Sequence, residues 1–162
     1  MRKHLKIVEN NKASKGLRFA NYFVDLFTFY ILFTCAFLML LTISPAFNSW
    51  ISNINSITDR LLSIVCYVVY IFIIESVTGG RSLGKLITGT KVIMIDGSKP
   101  SVSNFFIRNI TRGIILIDQL SFFGETGLHD SWSDTRVISI KNYEAEKQVR
   151  TDIEDLGKKE IA

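Results

Sequence analysis

Apolar positions in this chain are not spread in short periodic pieces; they run together. From Phe19 to Ile43 every side chain is uncharged except Asp25, and from Leu61 to Val77 every one except Glu75. A weaker apolar group follows at residues 102–124, broken by Arg108, Asn109, Arg112 and Asp118. At about 1.5 Å per residue the first run makes a helix of about 37 Å, enough to cross a hydrocarbon layer of about 30 Å with some tilt. The second is near the short limit for crossing, and Arg60 can carry its charged head to the headgroups while its stem stays in lipid. A secretory signal would have an apolar core of about 7–15 residues and then a small-residue cleavage site. The first run is too long for that, and Ile43-Ser44-Pro45-Ala46 is a poor site. A soluble chain of 162 residues would leave so long an apolar cylinder uncovered. Two transmembrane helices are predicted, over about 19–43 and 61–77.

Charge sets their direction. Arg2, Lys3, Lys6, Lys12, Lys15 and Arg18 precede the first run, whereas residues 44–60 hold only Arg60. Arg81, Lys85, Lys91 and Lys99 follow the second. Cytoplasmic flanks carry the excess of Lys and Arg, so the N-terminus and residues 78–101 are expected inside. Residues 44–60 become a short outer interfacial connection, with Trp50 at headgroup depth. The basic balance (+4 overall) belongs to this topology and not to nucleic-acid binding.

Past the second run the pattern changes. TKVIMIDGSK, residues 90–99, reads as a β-branched strand entering an Asp-Gly turn, and TRVISIK, residues 135–141, as a second strand. Paired as a small sheet, they must lie on one side of the membrane. Three ionised groups in residues 102–124 would cost several kcal/mol in a lipid-facing span. An interfacial or re-entrant helix is therefore preferred there, with a third crossing as the alternative. Residues 141–162 hold 5 basic and 6 acidic side chains and read as a solvated cytoplasmic tail, with Val149, Ile153 and Leu156 at helical spacing. The expected fold is an all-α membrane protein of two firm transmembrane helices, a third membrane-associated helix and a small cytoplasmic β-hairpin or sheet. It comprises a membrane domain, 1–140, and the tail, 141–162, with both termini cytoplasmic.

The charges inside the apolar runs are the candidate chemistry. Seven helical residues turn through about 700°, within roughly 20° of two circles. Arg18 and Asp25 thus share a face, with Asn21 between them. An isolated carboxylate in hydrocarbon is costly, so Asp25 should be paired, protonated or turned toward protein or water. Glu75 returns to the depth of Arg18 on the second span. Arg108 and Arg112, four apart, share a face of the third segment. The expectation is one cluster of Arg18, Asn21, Asp25, Glu75, Arg108 and Arg112 in the cytoplasmic half of the membrane, with Asp25 meeting arginine. Such a cluster can bind a cation or relay a proton, or it can simply lock helices together.

Other signals are weaker than they look. GGRSLGKL, residues 79–86, matches most of a phosphate-binding loop, but Leu86 replaces the magnesium-binding hydroxyl and the segment follows a span and not a buried strand. Its glycines are read as a turn at the membrane surface, with Arg81 and Lys85 near anionic headgroups. His129-Asp130 has no neighbouring nucleophile and reads as a loop cap or salt bridge. Cys35 and Cys66 fall inside the spans as small apolar residues, and no His/Cys set suggests a metal. No cofactor, metal or enzymatic activity is expected.

Taken together, these residues resemble the RDD family of small bacterial membrane proteins, named for one arginine and two aspartates. GLRFANYFVD supplies an arginine opening the first helix, Arg18, and an aspartate within it, Asp25. SLGKLITGTKVIMIDG is similar to the family's glycine-lysine-glycine stretch leading to a strand, through Gly84, Lys85 and Gly89. FFIRN followed by GLHDSWSDTRV resembles its later arginine, histidine-aspartate and threonine, through Arg108, His129, Asp130 and Thr135. Asp130 matches the second aspartate better, with Asp118 the fallback. The resemblance covers about residues 13–140. Relatives often look longer and more apolar between Arg112 and His129. It implies an inner-membrane protein for which transport has been proposed, some relatives being linked to sodium/proton exchange. The expected activity is cation or proton movement through the carboxylate–arginine cluster. The alternative is a scaffold or assembly subunit docking a cytoplasmic partner on residues 79–101 and 125–162. Two spans enclose no pathway, so transport would need a homo-oligomer or a membrane partner besides the lipid bilayer.

Overall fold

The computed structural model describes residues 5–113 and 128–161, excepting the side chains of 128–129 and 157–161. Its elements run α1 (Lys6–Asn10), α2 (Lys15–Ile43), α3 (Pro45–Ser52), α4 (Ser56–Thr78), α5 (Leu83–Ile87), β1 (Thr90–Met94), α6 (Val102–Gly113), α7 (Leu128–Trp132), β2 (Thr135–Ser139) and α8 (Ile140–Ile161). Helices α2 and α4 are long and apolar enough to cross a membrane, and only 6% and 17% of their most apolar stretches are buried within the protein. The core helix of a soluble protein would be covered. Here side chains such as Phe23, Phe27, Met39, Val65 and Ile73 face outward, an apolar surface suited to lipid.

Several helix ends have a local cause. Ser14 caps α2 by accepting from the Leu17 N–H, and Asn55 caps α4 by accepting from the Thr58 N–H. Gly79 ends α4 in the left-handed region at φ 66°, sending its N–H back to the Glu75 carbonyl. Residues 44–60 are more ordered than a plain connection: Ser44 caps α3 and Pro45 opens it, because proline's fixed φ suits the first helical position. Phe29 joins the two long helices, with ring centroids 5.3 Å from Tyr67 and 5.5 Å from Tyr70.

The two predicted strands pair antiparallel, Thr90 opposite Ser139 and Met94 opposite Thr135. Gly80 lies against this sheet. The Val92 N–H donates to its carbonyl at 3.0 Å, and a Cβ there would sit 2.9 Å from the Val92 oxygen. Phe105 of α6 packs beneath the sheet with Val92, Val137 and Ala13, and Phe72 of α4 closes that core from the membrane side. The third segment is therefore a helix through Gly113. Its remainder, with Asp118, lies outside the described residues.

One reading of the chain's ends changes and the other gains detail. The basic N-terminal flank is also a docked element. Ile7 and Val8 of α1 are buried against Ile93 and Ile138, with Leu5 and Tyr143 alongside, and Lys12 bridges to Ile138. The charged tail forms one helix, α8, with Val149, Ile153 and Leu156 all more than half exposed.

Glu9 ties α1 to the sheet, 2.7 Å from Lys12 Nζ and 3.0 Å from Arg136 Nε. Partial burial works against its charge, but the two cations outweigh it and hold the carboxyl below its ordinary 4.5. A lowered carboxylate stabilises the fold above the unfolded value and stops doing so as pH falls. Below about pH 4.5 the α1 amides should therefore exchange hydrogen faster, and Glu9→Gln should remove that dependence. Equal protection of α1 at pH 6 and at acid pH would refute the clasp.

Candidate functional site

The polar side chains converge where α2, α4, α5, α6 and the sheet meet. Glu75, one turn before the end of α4, is fully buried and is the hub. Its Oε1 lies 2.6 Å from Lys85 Nζ and 3.5 Å from an Arg112 Nη1. Its Oε2 lies 3.5 Å from Arg108 Nε and accepts from Asn109 Nδ2 at 3.2 Å. Arg108, equally buried, donates from Nη1 to Asp130 of α7 and, at 3.0 Å, to Thr135 Oγ1 of β2. One guanidinium thus joins α4, α7 and the sheet. Such pairing offsets much of the several kcal/mol that each buried charge would otherwise cost.

Asp25 is held differently. Its Oδ2 accepts from the Ser82 hydroxyl at 2.6 Å and its Oδ1 from the Gly84 N–H at 2.8 Å. Both donors belong to the start of α5, so this carboxylate acts as the cap that α5's own Ser82 does not supply. Gly84 permits the approach: a Cβ there would fall 2.9 Å from the Asn21 Cα, inside contact distance. Asn21, one turn before Asp25, donates from Nδ2 to Thr90 Oγ1 at 2.9 Å and accepts from Thr88 Oγ1 at 2.5 Å. The polar stripe of α2 therefore docks on α5 and on the start of β1.

The expected meeting of Asp25 with arginine is thus corrected. Among the described residues its hydrogen-bond partners are a hydroxyl and an amide, while the arginines of α6 serve Glu75 and Asp130. The reason is packing. Helix α6 lies on α4, and α5 occupies the adjoining side of α2. Lys85 is corrected as well. It is wholly buried on Glu75 and does not reach toward headgroups. Arg18 is half-buried two turns before Asp25. Gly89, at φ 65°, turns the chain into β1. His129 falls in α7, its side chain outside the described set.

Sequence reasoning missed Ser82, Thr88, Thr90 and Asn109 as site residues. Asn109 had a usable signal, since Phe105, Arg108, Asn109 and Arg112 recur at helical spacing on one face. Ser82 had none. A five-residue helix shows no periodicity, and a serine before it reads as an ordinary cap.

Membrane depth explains why a carboxylate is tolerated at position 25. From Leu26 to Ile43 a helix rises about 27 Å, close to one hydrocarbon thickness of about 30 Å. Asp25 and Glu75 thus fall at the edge of the apolar belt, where α5, α6 and the sheet cover them. Among the described residues no group of His, Cys, Asp and Glu is arranged to hold a metal ion.

The profile of the RDD family matches residues 12–136, which contain every residue of the cluster. No curated protein and no solved structure matches the chain.

Proposed function

The chain belongs to the RDD family, and on that footing we propose that this membrane protein moves small cations or protons. It would do so as a homo-oligomer in the bacterial inner membrane, with both termini cytoplasmic. Asp25 is the group that exchanges the proton or ion. One observation carries the assignment: Asp25 is a buried carboxylate of a spanning helix held directly by neutral donors only, among the described residues. Its charge is not pinned by a contacting cation, so it can gain and lose a proton without orphaning a guanidinium. Glu75 is the contrast. Lys85, Arg108 and Arg112 all converge on it, which suits a structural anion. Two spans alone enclose no channel, so the path would form between copies.

In proteoliposomes carrying Na⁺, K⁺ or H⁺ gradients, Asp25→Asn is expected to lower pH-linked cation flux about a hundredfold while the protein still inserts. Unchanged flux would remove Asp25 from the mechanism.

A second reading is favoured by α8. Its Val149, Ile153 and Leu156 are 56%, 61% and 62% exposed along one side of a helix that projects from the sheet. That surface fits an assembly subunit docking a partner at the membrane. Truncation at residue 140 would then abolish a stoichiometric crosslinked partner, and purified protein would carry no flux.

A further inference from the structure

The side chains of Glu75, Lys85, Ser82 and Asp25 form an unbroken line of hydrogen bonds from α4 through α5 to α2. Lys85 Nζ donates to Glu75 Oε1 at 2.6 Å and to Ser82 Oγ at 3.0 Å, and the Ser82 hydroxyl donates to Asp25 Oδ2 at 2.6 Å. Neither end opens directly to solvent: Asp25 is 1% exposed, and Ser82, Lys85 and Glu75 are 0%. Ser82 stands at the N-cap of α5, where a serine hydroxyl ordinarily accepts from its own helix, yet it makes no such bond. Its hydroxyl is spent wholly on joining Lys85 to Asp25.

We infer that Ser82 is the proton bridge of this site and that Lys85 is the second seat of the proton that Asp25 carries. The inference rests on the reading of Asp25 as the exchanging group. In the transfer, the Ser82 O–H bond breaks as an O–H bond forms on Asp25 Oδ2. One Lys85 N–H breaks as the Ser82 hydroxyl is restored. An ammonium becomes an amine, a carboxylate becomes a carboxylic acid, and the charge of the cluster is conserved.

The surroundings permit Lys85 to give up its proton. The groups facing it are Glu75 from α4, Arg108 and Arg112 from α6, and Asp25 from α2. Burial draws its ammonium below the ordinary 10.5; Arg112 and Arg108 push the same way, and Glu75 and Asp25 oppose them. When Lys85 is neutral, Glu75 keeps both guanidiniums 3.5 Å away, so no carboxylate is stranded. Were Lys85 the only cation on Glu75, its loss of the proton would leave that buried carboxylate unpaired.

The bridge predicts a rate. In the full chain in nanodiscs, a downward pH jump followed by infrared spectroscopy reports protonation of Asp25 as a carboxylic C=O band that Asp25→Asn abolishes. Ser82→Ala and Lys85→Met should each slow the rise of that band at least about tenfold. Ser82→Thr, which keeps the hydroxyl, should restore most of the rate, separating proton transfer from packing. An unchanged rate in Ser82→Ala, or no Asp25 band in the wild type, overturns the proposal. Liposome flux is read separately. Its absence from the wild type would sink the transport assignment, while the infrared rate still decides whether Ser82 is a bridge.

Discussion

Replacing Glu75 by glutamine is expected to cost about 3–5 kcal/mol of stability, the loss typical when one partner of a buried ion pair is removed. The amide occupies the same space, so packing is conserved and the change isolates the charge. What remains is Lys85, wholly buried with its Nζ no longer in contact with an anion, and Arg108 and Arg112 without their contact to Glu75. Within the cluster Asp25 and Asp130 persist, but Asp130 already serves Arg108 and Asp25 is reached only through Ser82. The variant should accumulate poorly and melt early in detergent micelles. Adding Lys85→Met should recover part of the loss, because the burial cost of the stranded ammonium disappears with it. A melting temperature equal to wild type would show that the cluster is not held together by its charges.

Gly84→Ala is expected to separate α5 from α2. The added methyl would meet the Asn21 Cα at 2.9 Å and its carbonyl carbon at 3.0 Å. Backbone cannot swing aside as the end of a side chain can. Overpacking of this kind costs about 1–3 kcal/mol. The shift also breaks the Gly84 N–H bond to Asp25, worth a further ~1.5–3 kcal/mol for a charged acceptor. Hydrogen exchange over residues 82–88 should rise sharply while α4 and its contact with α6 stay protected. Wild-type protection there would mean that α5 is not clamped by Asp25.

The long helices were readable because lipid demands uninterrupted apolar runs, a constraint that involves no neighbour. The strands were readable for an equally local reason: Val92, Ile93, Val137 and Ile138 favour extended backbone, and Asp96-Gly97 marks a turn. The charged residues of the site could be picked out by type, because ionised groups amid apolar runs stand out. Their partners could not. Whether Asp25 receives Arg108 or Ser82 depends on α6 packing on α4 and α5 packing on α2, and no sequence spacing encodes that choice. Lys85 looked like a surface cation because its helix is too short to show a buried face. The docking of α1 was hidden for the same reason, two apolar residues in a basic stretch carrying no period.

The pairing of β1 with β2 fastens Thr90–Met94 to Thr135–Ser139, so residues 95 and 134, far apart in the chain, are brought together by one ribbon closure. A chain leaving the ribosome presents β1 long before its mate, and α1, synthesised first, waits longest, since Ile138 forms part of its seat. Until β2 emerges, Arg108 lacks Thr135, and Phe105 lacks Val137. The fold is therefore sealed in one late event that secures the earliest and latest segments together. A polypeptide truncated before residue 135 would present the membrane quality-control machinery with an unclosed ring and an unseated α1.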